Sequence, residues 1–416
     1  MFKNLKISIL LICLLGCKAI PPLTKGPDTS NRSNKIVVCM DGTNNTTKDN
    51  TNIYKLYNLV TPKKNVSSFY TVGVGAGPDF KFLGLAFGFG LEYDVIEAYQ
   101  YICNNYSPDE KTEVFIFGFS RGAYTAKVLT NLIYTAGIRD LSQLSAKQQR
   151  KFIKQLYKAY LGPKPMDIIE IDTDVVVLKW ERRLRISIPK RSYNNIEVLG
   201  LFDTVEALDK PNFEEIICSP NWDHLEQFKN VNHVLHAASL DDNRADLFTP
   251  SLASCPDILL EDHQDLNKTV NEVWFSGAHS DIGGGYQDHT EINTISLNWF
   301  LKHLKSYNLF KSNNFDKASY DAPIHDAQLG YKRLYDRKNR SIVDYYNQTK
   351  AYNNGRLKLH ESVIHRMERG QIPNFKLSAL DSIHWFDKAP FNKCFEKRDS
   401  LRIYKPETCE VLEIVN

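Results

Sequence analysis

The chain has 416 residues, of which 42% are hydrophobic and 24% charged, with 52 Lys and Arg against 49 Asp and Glu. That length suffices for one large domain with insertions or for two domains, with a core large enough that stability need not rest on disulfides. A net charge of +3 is too small to predict a polyanion partner, so no nucleic acid partner is expected.

The chain opens with two lysines within Met1 to Lys6, followed by an apolar run, Ile7 to Leu15, that closes on Leu14-Leu15-Gly16-Cys17. The run is too short to span a bilayer and has the basic and apolar regions of an export signal. Its Leu-Leu-Gly-Cys ending resembles a bacterial lipobox, in which the cysteine is lipidated and becomes the mature N-terminus. The expectation is a signal peptide over residues 1–16, a lipid on Cys17 and a Pro-, Ser- and Asn-rich tether over 17–34. Lys18 stands where an inner-membrane retention aspartate would be, so the expected location is a lipid anchor in the bacterial cell envelope, on the outer membrane. Of the other cysteines, Cys39 and Cys103 lie in apolar segments and read as buried thiols, and Cys394 with Cys409 is the most local possible disulfide pair. No C-x-x-C spacing marks a structural zinc site.

From Lys35 strands and helices alternate. Lys35 to Met40 reads as a strand, Ile53 to Val60 as a helix, Phe69 to Val74 as a strand, Leu91 to Tyr106 as a helix, and Glu113 to Phe117 as a strand leading into a helix from Ala123. Such alternation predicts a mostly parallel sheet flanked by helices. Residues 140–195 read as a cap-like insertion: a polar helical stretch (Ser142 to Tyr160), then Val175 to Ile188, where Trp180 interleaves with Arg182, Arg183 and Arg185. That second stretch reads as an amphipathic element with a solvated basic face, or as a surface that meets phospholipid with Trp180 at the interface. Strands resume at Ile196 to Val205 and Glu272 to His279, and a helix over Ile292 to Leu304 closes the sheet. The catalytic domain is thus expected over 35–312, with 313–416 an appendage packed on it.

The chemistry centres on Gly118-Phe119-Ser120-Arg121-Gly122, a G-x-S-x-G sequence between a strand and a helix, where a sharp turn pushes a serine hydroxyl out of the backbone. A serine nucleophile needs a base and an acid that orients the base. Asp203 ends one later strand and His279 ends another, in the order Ser, Asp, His. Asp241 and Asp242 also precede His279 and compete with Asp203 as the acid; Asp281 is the most local alternative. The first oxyanion amide is expected from Arg121, and the second from Gly42 or Thr43 in the turn after the first strand. Asp41, in the same turn, is either part of this region or a structural turn-former. Gly73-Val74-Gly75-Ala76-Gly77 lacks dinucleotide-binding spacing. His279, Asp281, Asp288 and His289 are interrupted by Gly283 to Gly285, which read as a turn that shapes the site, so neither metal nor cofactor is expected.

These segments together resemble a known family, the α/β-hydrolase domain of type VI secretion phospholipase effectors and related bacterial proteins. The resemblance is carried by Val38 to Asn45, Gly73 to Gly77, Gly118 to Ala126, Gly200 to Val205, His236 to Arg244 and Trp274 to Tyr286. It implies a lipid esterase with a Ser-Asp-His triad carried by Ser120, Asp203 and His279, acting on phospholipid or another acyl ester. The lipobox-like start suits a resident envelope enzyme better than an injected effector. The competing expectations are a soluble carboxylesterase or thioesterase, and a non-catalytic surface lipoprotein that keeps the fold to bind a partner.

Overall fold

The computed structural model describes residues 20–26, 34–61, 65–73, 75, 90–107, 111–161, 173–192, 196–206, 217–218, 229–246, 248–255, 270–311, 317–328, 337–350, 354–372 and 384–416. The expected signal peptide and Cys17 lie outside these residues.

The apolar runs become strands buried on both faces. In β2 (Lys35–Met40) Ile36, Val38 and Met40 pack into one core while Val37 and Cys39 pack into another. In β4 (Glu113–Phe119) Val114 and Ile116 join the first core, and Phe115, Phe117 and Phe119 the second. Strands without an apolar/polar alternation need a cover on each side, which parallel sheets obtain from crossover helices. On one side lie α1 (Asn52–Leu59) and α7 (Asn293–His303); on the other lie α2 (Leu91–Asn105), α3 (Arg121–Ala136), α4 (Ala146–Tyr160) and α5 (Thr173–Leu184). Thr51 starts α1 by accepting the Tyr54 amide at 3.1 Å, a side-chain cap at the helix N-terminus.

The remaining strands are β1 (Leu23–Lys25), β3 (Val66–Thr71), β5 (Ile138–Arg139), β6 (Lys190–Ser192), β7 (Ile196–Phe202), β8 (Val231–Ser239), β9 (Val270–Phe275), β10 (Leu357–His360), β11 (Phe395–Arg398), β12 (Leu401–Tyr404) and β13 (Leu412–Val415). The helices α6 (His279–Gly283), α8 (Ile342–Thr349) and α9 (Glu361–Glu368) complete the set used below. The main sheet has the order β1-β3-β2-β4-β7-β8-β9-β10-β13. β1 pairs antiparallel with β3, whereas β3 through β13 pair in parallel. A parallel sheet wrapped on both faces, with a strand-turn-helix elbow after β4, is the α/β-hydrolase fold.

Two boundaries differ from those the sequence suggests. Residues 23–25, expected within a free tether, add an edge strand to β3, and the Lys25 ammonium donates to the Tyr57 carbonyl at 3.0 Å while lying over the Tyr57 ring. The insertion packs on α2 and α3. Its helix α5 starts where Asp174 meets Arg139, just past the C-terminal end of α3. Sixteen helical residues, about 24 Å, separate that end of α3 from Ser120, so the start of α5 does not cover the nucleophile. Trp180 is buried against Phe152 with its indole N–H on Gln155, so it is not an interfacial residue; Val175 and Leu178 are the apolar side chains that α5 exposes. Finally, the C-terminal segment expected as an appendage contributes two strands to the main sheet: β10 and β13 extend it, with Leu359 in register with Trp274 of β9.

The cysteines divide as the sequence suggests for four of them. Cys394 and Cys409 are bonded, with Cα atoms 4.3 Å apart, and Cys39 and Cys103 are buried thiols. A second disulfide joins Cys218 to Cys255.

Candidate active site

Parallel strands all present their C-terminal ends to one edge, where side chains from distant segments can meet. Ser120 sits there at the β4–α3 junction with φ 57° and ψ −126°, a conformation a non-glycine residue holds only when its surroundings enforce it. The flanking glycines explain the enforcement. A methyl at Gly118 would lie 2.5 Å from Ala123 Cα, and one at Gly122 would lie 2.3 Å from the Met40 carbonyl oxygen. The turn closes because both positions lack Cβ. The Ser120 amide donates to the Phe202 carbonyl at 3.0 Å, which ties the elbow to the end of β7, and Asp203 is the next residue there.

The base and its acid meet directly. His279 Nδ1 lies 2.6 Å from Asp203 Oδ2, and Asp203 is fully buried. An ionised carboxylate only accepts hydrogen bonds, so Nδ1 carries the proton of the neutral ring and the lone pair is on Nε2. The rings of Phe119 and Phe248 flank the imidazole at 4.6 and 4.9 Å. Phe119 is also the neighbour of Ser120, so the elbow and the histidine share one wall. His279 does not end its strand: β9 stops at Phe275, and His279 opens the short α6 four residues later.

Neither competing acid reaches the imidazole. Asp242 accepts the backbone amide of His279 at 3.2 Å and pairs with Arg244; Asp241 accepts the Gly277 amide at 2.7 Å. Both therefore hold the loop that carries the histidine. Asp281 is engaged by His325, through Nδ1 at 2.5 Å and the backbone amide at 3.0 Å, and Asp288 lies 3.3 Å from the other nitrogen of His325. The sequence cluster His279, Asp281, Asp288 and His289 thus does not converge: its first member turns to Asp203, and two others turn to His325. Gly284 and Gly285 take φ values of +81° and +121°, the turn expected of the glycine run.

Arg340 carries no signal in the sequence. Its guanidinium is buried and grips both oxygens of Asp203, Nη1 to Oδ1 at 2.7 Å and Nη2 to Oδ2 at 3.0 Å. Burial alone would raise the Asp203 pKa, but the Arg340 charge, with hydrogen bonds from His279 and Arg340, holds it well below the usual carboxylate range. Burial lowers the His279 pKa; Asp203 opposes that shift without cancelling it. The imidazole is therefore neutral at pH 7.

On the other side of Ser120 lies the turn after β2. A methyl at Gly42 would come within 3.1 Å of Ser120 Cβ, and one at Gly73 would strike the Gly42 carbonyl oxygen. Part of the Gly73 to Gly77 segment is described, and its first glycine serves this close approach. Asp41 proves to be the turn-former: its carboxylate accepts from the Gly42 amide (2.7 Å), Thr51 (2.6 Å) and Tyr70 (2.8 Å). Burial raises its pKa to about 6 against these bonds. The Gly42 amide is thereby committed to Asp41, while the Thr43 hydroxyl is buried with no hydrogen-bond partner among the described residues. Arg121 opens α3 directly after the serine, and burial lowers its pKa to about 10. One further pair supports this edge from beneath. The Thr204 amide donates to His236 Nε2 (3.2 Å), so Nδ1 donates to Glu272 (2.8 Å), which fixes the backbone beside Asp203.

Fold and site define an α/β-hydrolase with a serine elbow beside an Asp–His pair. Residues 34–303 match the family described as "T6SS, Phospholipase effector Tle1-like, catalytic domain", and the chain belongs to that family, one of ester hydrolases. Among relatives, it is 27% identical over 302 residues to the uncharacterised protein YEL023C of Saccharomyces cerevisiae, covering 61% of this chain and 41% of that one. Among solved structures, it is similar to the Tle1 effector bound to the VgrG spike of a type 6 secretion system, at 18% identity and TM-score 0.31, covering 62% of this chain and 52% of the other. It is also similar to esterase 2 of Thermogutta terrifontis with propionate bound, at 11% identity and TM-score 0.35, covering 70% and 91%. The chain thus spans about two fifths of the yeast relative and about half of the Tle1 effector.

Proposed function

We propose that the chain is a serine hydrolase that cleaves acyl esters of phospholipids. One contact carries the reading: the 2.6 Å bond between His279 Nδ1 and Asp203 Oδ2, at the sheet edge that carries Ser120 on its elbow. In this mechanism His279 Nε2 takes the Ser120 hydroxyl proton as Oγ attacks the ester carbonyl carbon. Collapse of the tetrahedral adduct expels the alcohol, which recovers the proton from His279. Water then repeats the sequence on the acyl-enzyme, releasing the fatty acid and restoring Ser120. The oxyanion is held by the Arg121 amide and by Thr43; the Gly42 amide is committed to Asp41, whereas the buried Thr43 hydroxyl has no partner among the described residues, which supports Thr43 as the second donor. The lowered pKa of His279 keeps the base neutral at pH 7, and turnover is lost as pH falls through that depressed value.

The family supports phospholipid as substrate, and an arginine directly after the nucleophile, Arg121, suits a phosphate-bearing ester. The enzyme works from a lipid on Cys17, anchored in the bacterial cell envelope at the outer membrane. The disulfides Cys218–Cys255 and Cys394–Cys409 support an oxidising compartment. Incubation of the chain with defined phospholipids, read by mass spectrometry of the products, tests the substrate: fatty acid and lysophospholipid are expected, and intact lipid beside cleaved soluble esters would replace this reading with a soluble esterase. Labelled palmitate on the wild type and none on Cys17→Ser tests the anchor.

A further inference from the structure

We propose that Arg340 is a positioning residue for the acid–base pair, so that the working site extends past the family-matched residues 34–303 into the C-terminal segment. The inference rests on the hydrolase reading above and concerns a side chain that touches neither nucleophile nor substrate.

A carboxylate beneath a histidine can rotate about its Cβ–Cγ bond and turn its lone pair away from the imidazole. At Asp203 both oxygens are occupied twice. Oδ1 accepts from the Ser239 amide (2.9 Å) and Arg340 Nη1 (2.7 Å); Oδ2 accepts from His279 (2.6 Å) and Arg340 Nη2 (3.0 Å). The guanidinium is itself fixed, donating to the Ser239 carbonyl (2.7 Å) and the Phe248 carbonyl (2.6 Å). A planar fork held at its far side locks the carboxylate plane, and with it the direction of the His279 ring.

The groups that face His279 are Asp203 after β7, Asp242 and Arg244 after β8, and Arg340 behind Asp203, with the rings of Phe119 and Phe248 between. On α6 itself, Asp281 is occupied by His325; Asp241 lies on the Gly277 amide with Arg366 facing it, and Tyr345 of α8 faces Arg340. Asp203 and Asp242 are balanced by Arg340 and Arg244, so the pocket is neutral with His279 uncharged. Without Arg340 one negative charge is left over, and the most basic neighbour that can take a proton to cancel it is His279, bonded to Asp203. Arg340 therefore keeps the base unprotonated to lower pH.

The test follows the His279 ring by NMR across pH, assigned by its loss in His279→Gln, in the full chain and in Arg340→Met and Arg340→Lys, alongside kcat/KM on a monomeric p-nitrophenyl ester. Arg340→Met is expected to raise the His279 midpoint, and the acid limb of kcat/KM with it, by about one pH unit or more. Arg340→Lys keeps the charge and loses the fork, so its midpoint stays near wild type while kcat/KM falls about ten- to a hundredfold. An unmoved midpoint in folded Arg340→Met overturns the proposal, as does a lysine variant that shifts as far as the methionine one. Should Arg340→Met fail to fold, Arg340→Lys decides alone, and wild-type kcat/KM in that variant overturns the positioning role. A wild-type chain that hydrolyses no ester sinks the hydrolase reading instead, and the His279 midpoints still decide the role of Arg340.

Discussion

Ser120 and His279 lie at the same sheet edge but are held there by opposite means. Around Ser120 the constraints are steric and nearly all local: two glycines, the first turn of α3 and the end of β2 leave the serine one strained conformation. Around His279 the constraints are electrostatic and come from far along the chain, with Asp203, Asp242 and Arg340 each arriving from a different segment. The nucleophile is thus fixed by shape and survives removal of its own hydroxyl. The base is fixed by a charge balance that no member can leave without disturbing the others.

Substitutions at the two sites should separate these modes. The largest loss is expected from Ser120→Ala, about 10^6-fold in kcat with an unchanged fold, because the elbow is built by the glycines and not by the hydroxyl. Asp203→Asn should follow, costing about 10^4-fold in kcat, since an amide can donate to His279 Nδ1 and so favours the wrong tautomer. It should also lower stability, read as a fall in Tm, because Arg340 is left buried without its counter-charge. Gly122→Ala acts on the steric side alone. It should cost about 1–3 kcal/mol or more in urea melts, as the methyl meets the Met40 and Asp41 carbonyls, with no shift in the pH profile of the protein that still folds.

The smallest effect concerns a carboxylate away from the site. Asp94 on α2 is buried, bonded to the Thr71 hydroxyl at 2.9 Å, and burial raises its pKa to about 7. The folded state therefore holds a proton that the unfolded chain gives up near pH 4, so this group costs stability progressively as pH rises toward 7. Asp94→Asn cannot titrate, and its Tm should fall less than that of the wild type between pH 5 and pH 8.

The same contrast decides what could be read from the sequence. Ser120 is legible because its determinants are five consecutive residues between a strand and a helix. Asp203 and His279 are legible because each follows an apolar strand; Asp241 and Asp242, the alternative acids, are set aside only by the fold, which bonds them to backbone amides. Arg340 is not legible. It stands in a polar stretch without periodicity, and its partner is 137 residues away. The strands that bring the C-terminal segment to the sheet, Leu357–His360 and Leu412–Val415, are four residues each, too short for alternation to distinguish them from loop. Trp180 misleads for a related reason: a tryptophan among arginines resembles an interfacial residue, and only the packing of α5 on α4 shows that it faces inward.

The central claim is that Ser120 is the nucleophile of an ester hydrolase. Reaction of the wild-type chain with a fluorophosphonate, followed by peptide mass spectrometry, tests it most directly. The account predicts one adduct, on the peptide carrying Ser120, abolished in Ser120→Ala and slowed by about 10^4-fold in Asp203→Asn. An adduct on another residue, or undiminished labelling of Ser120→Ala, would contradict it.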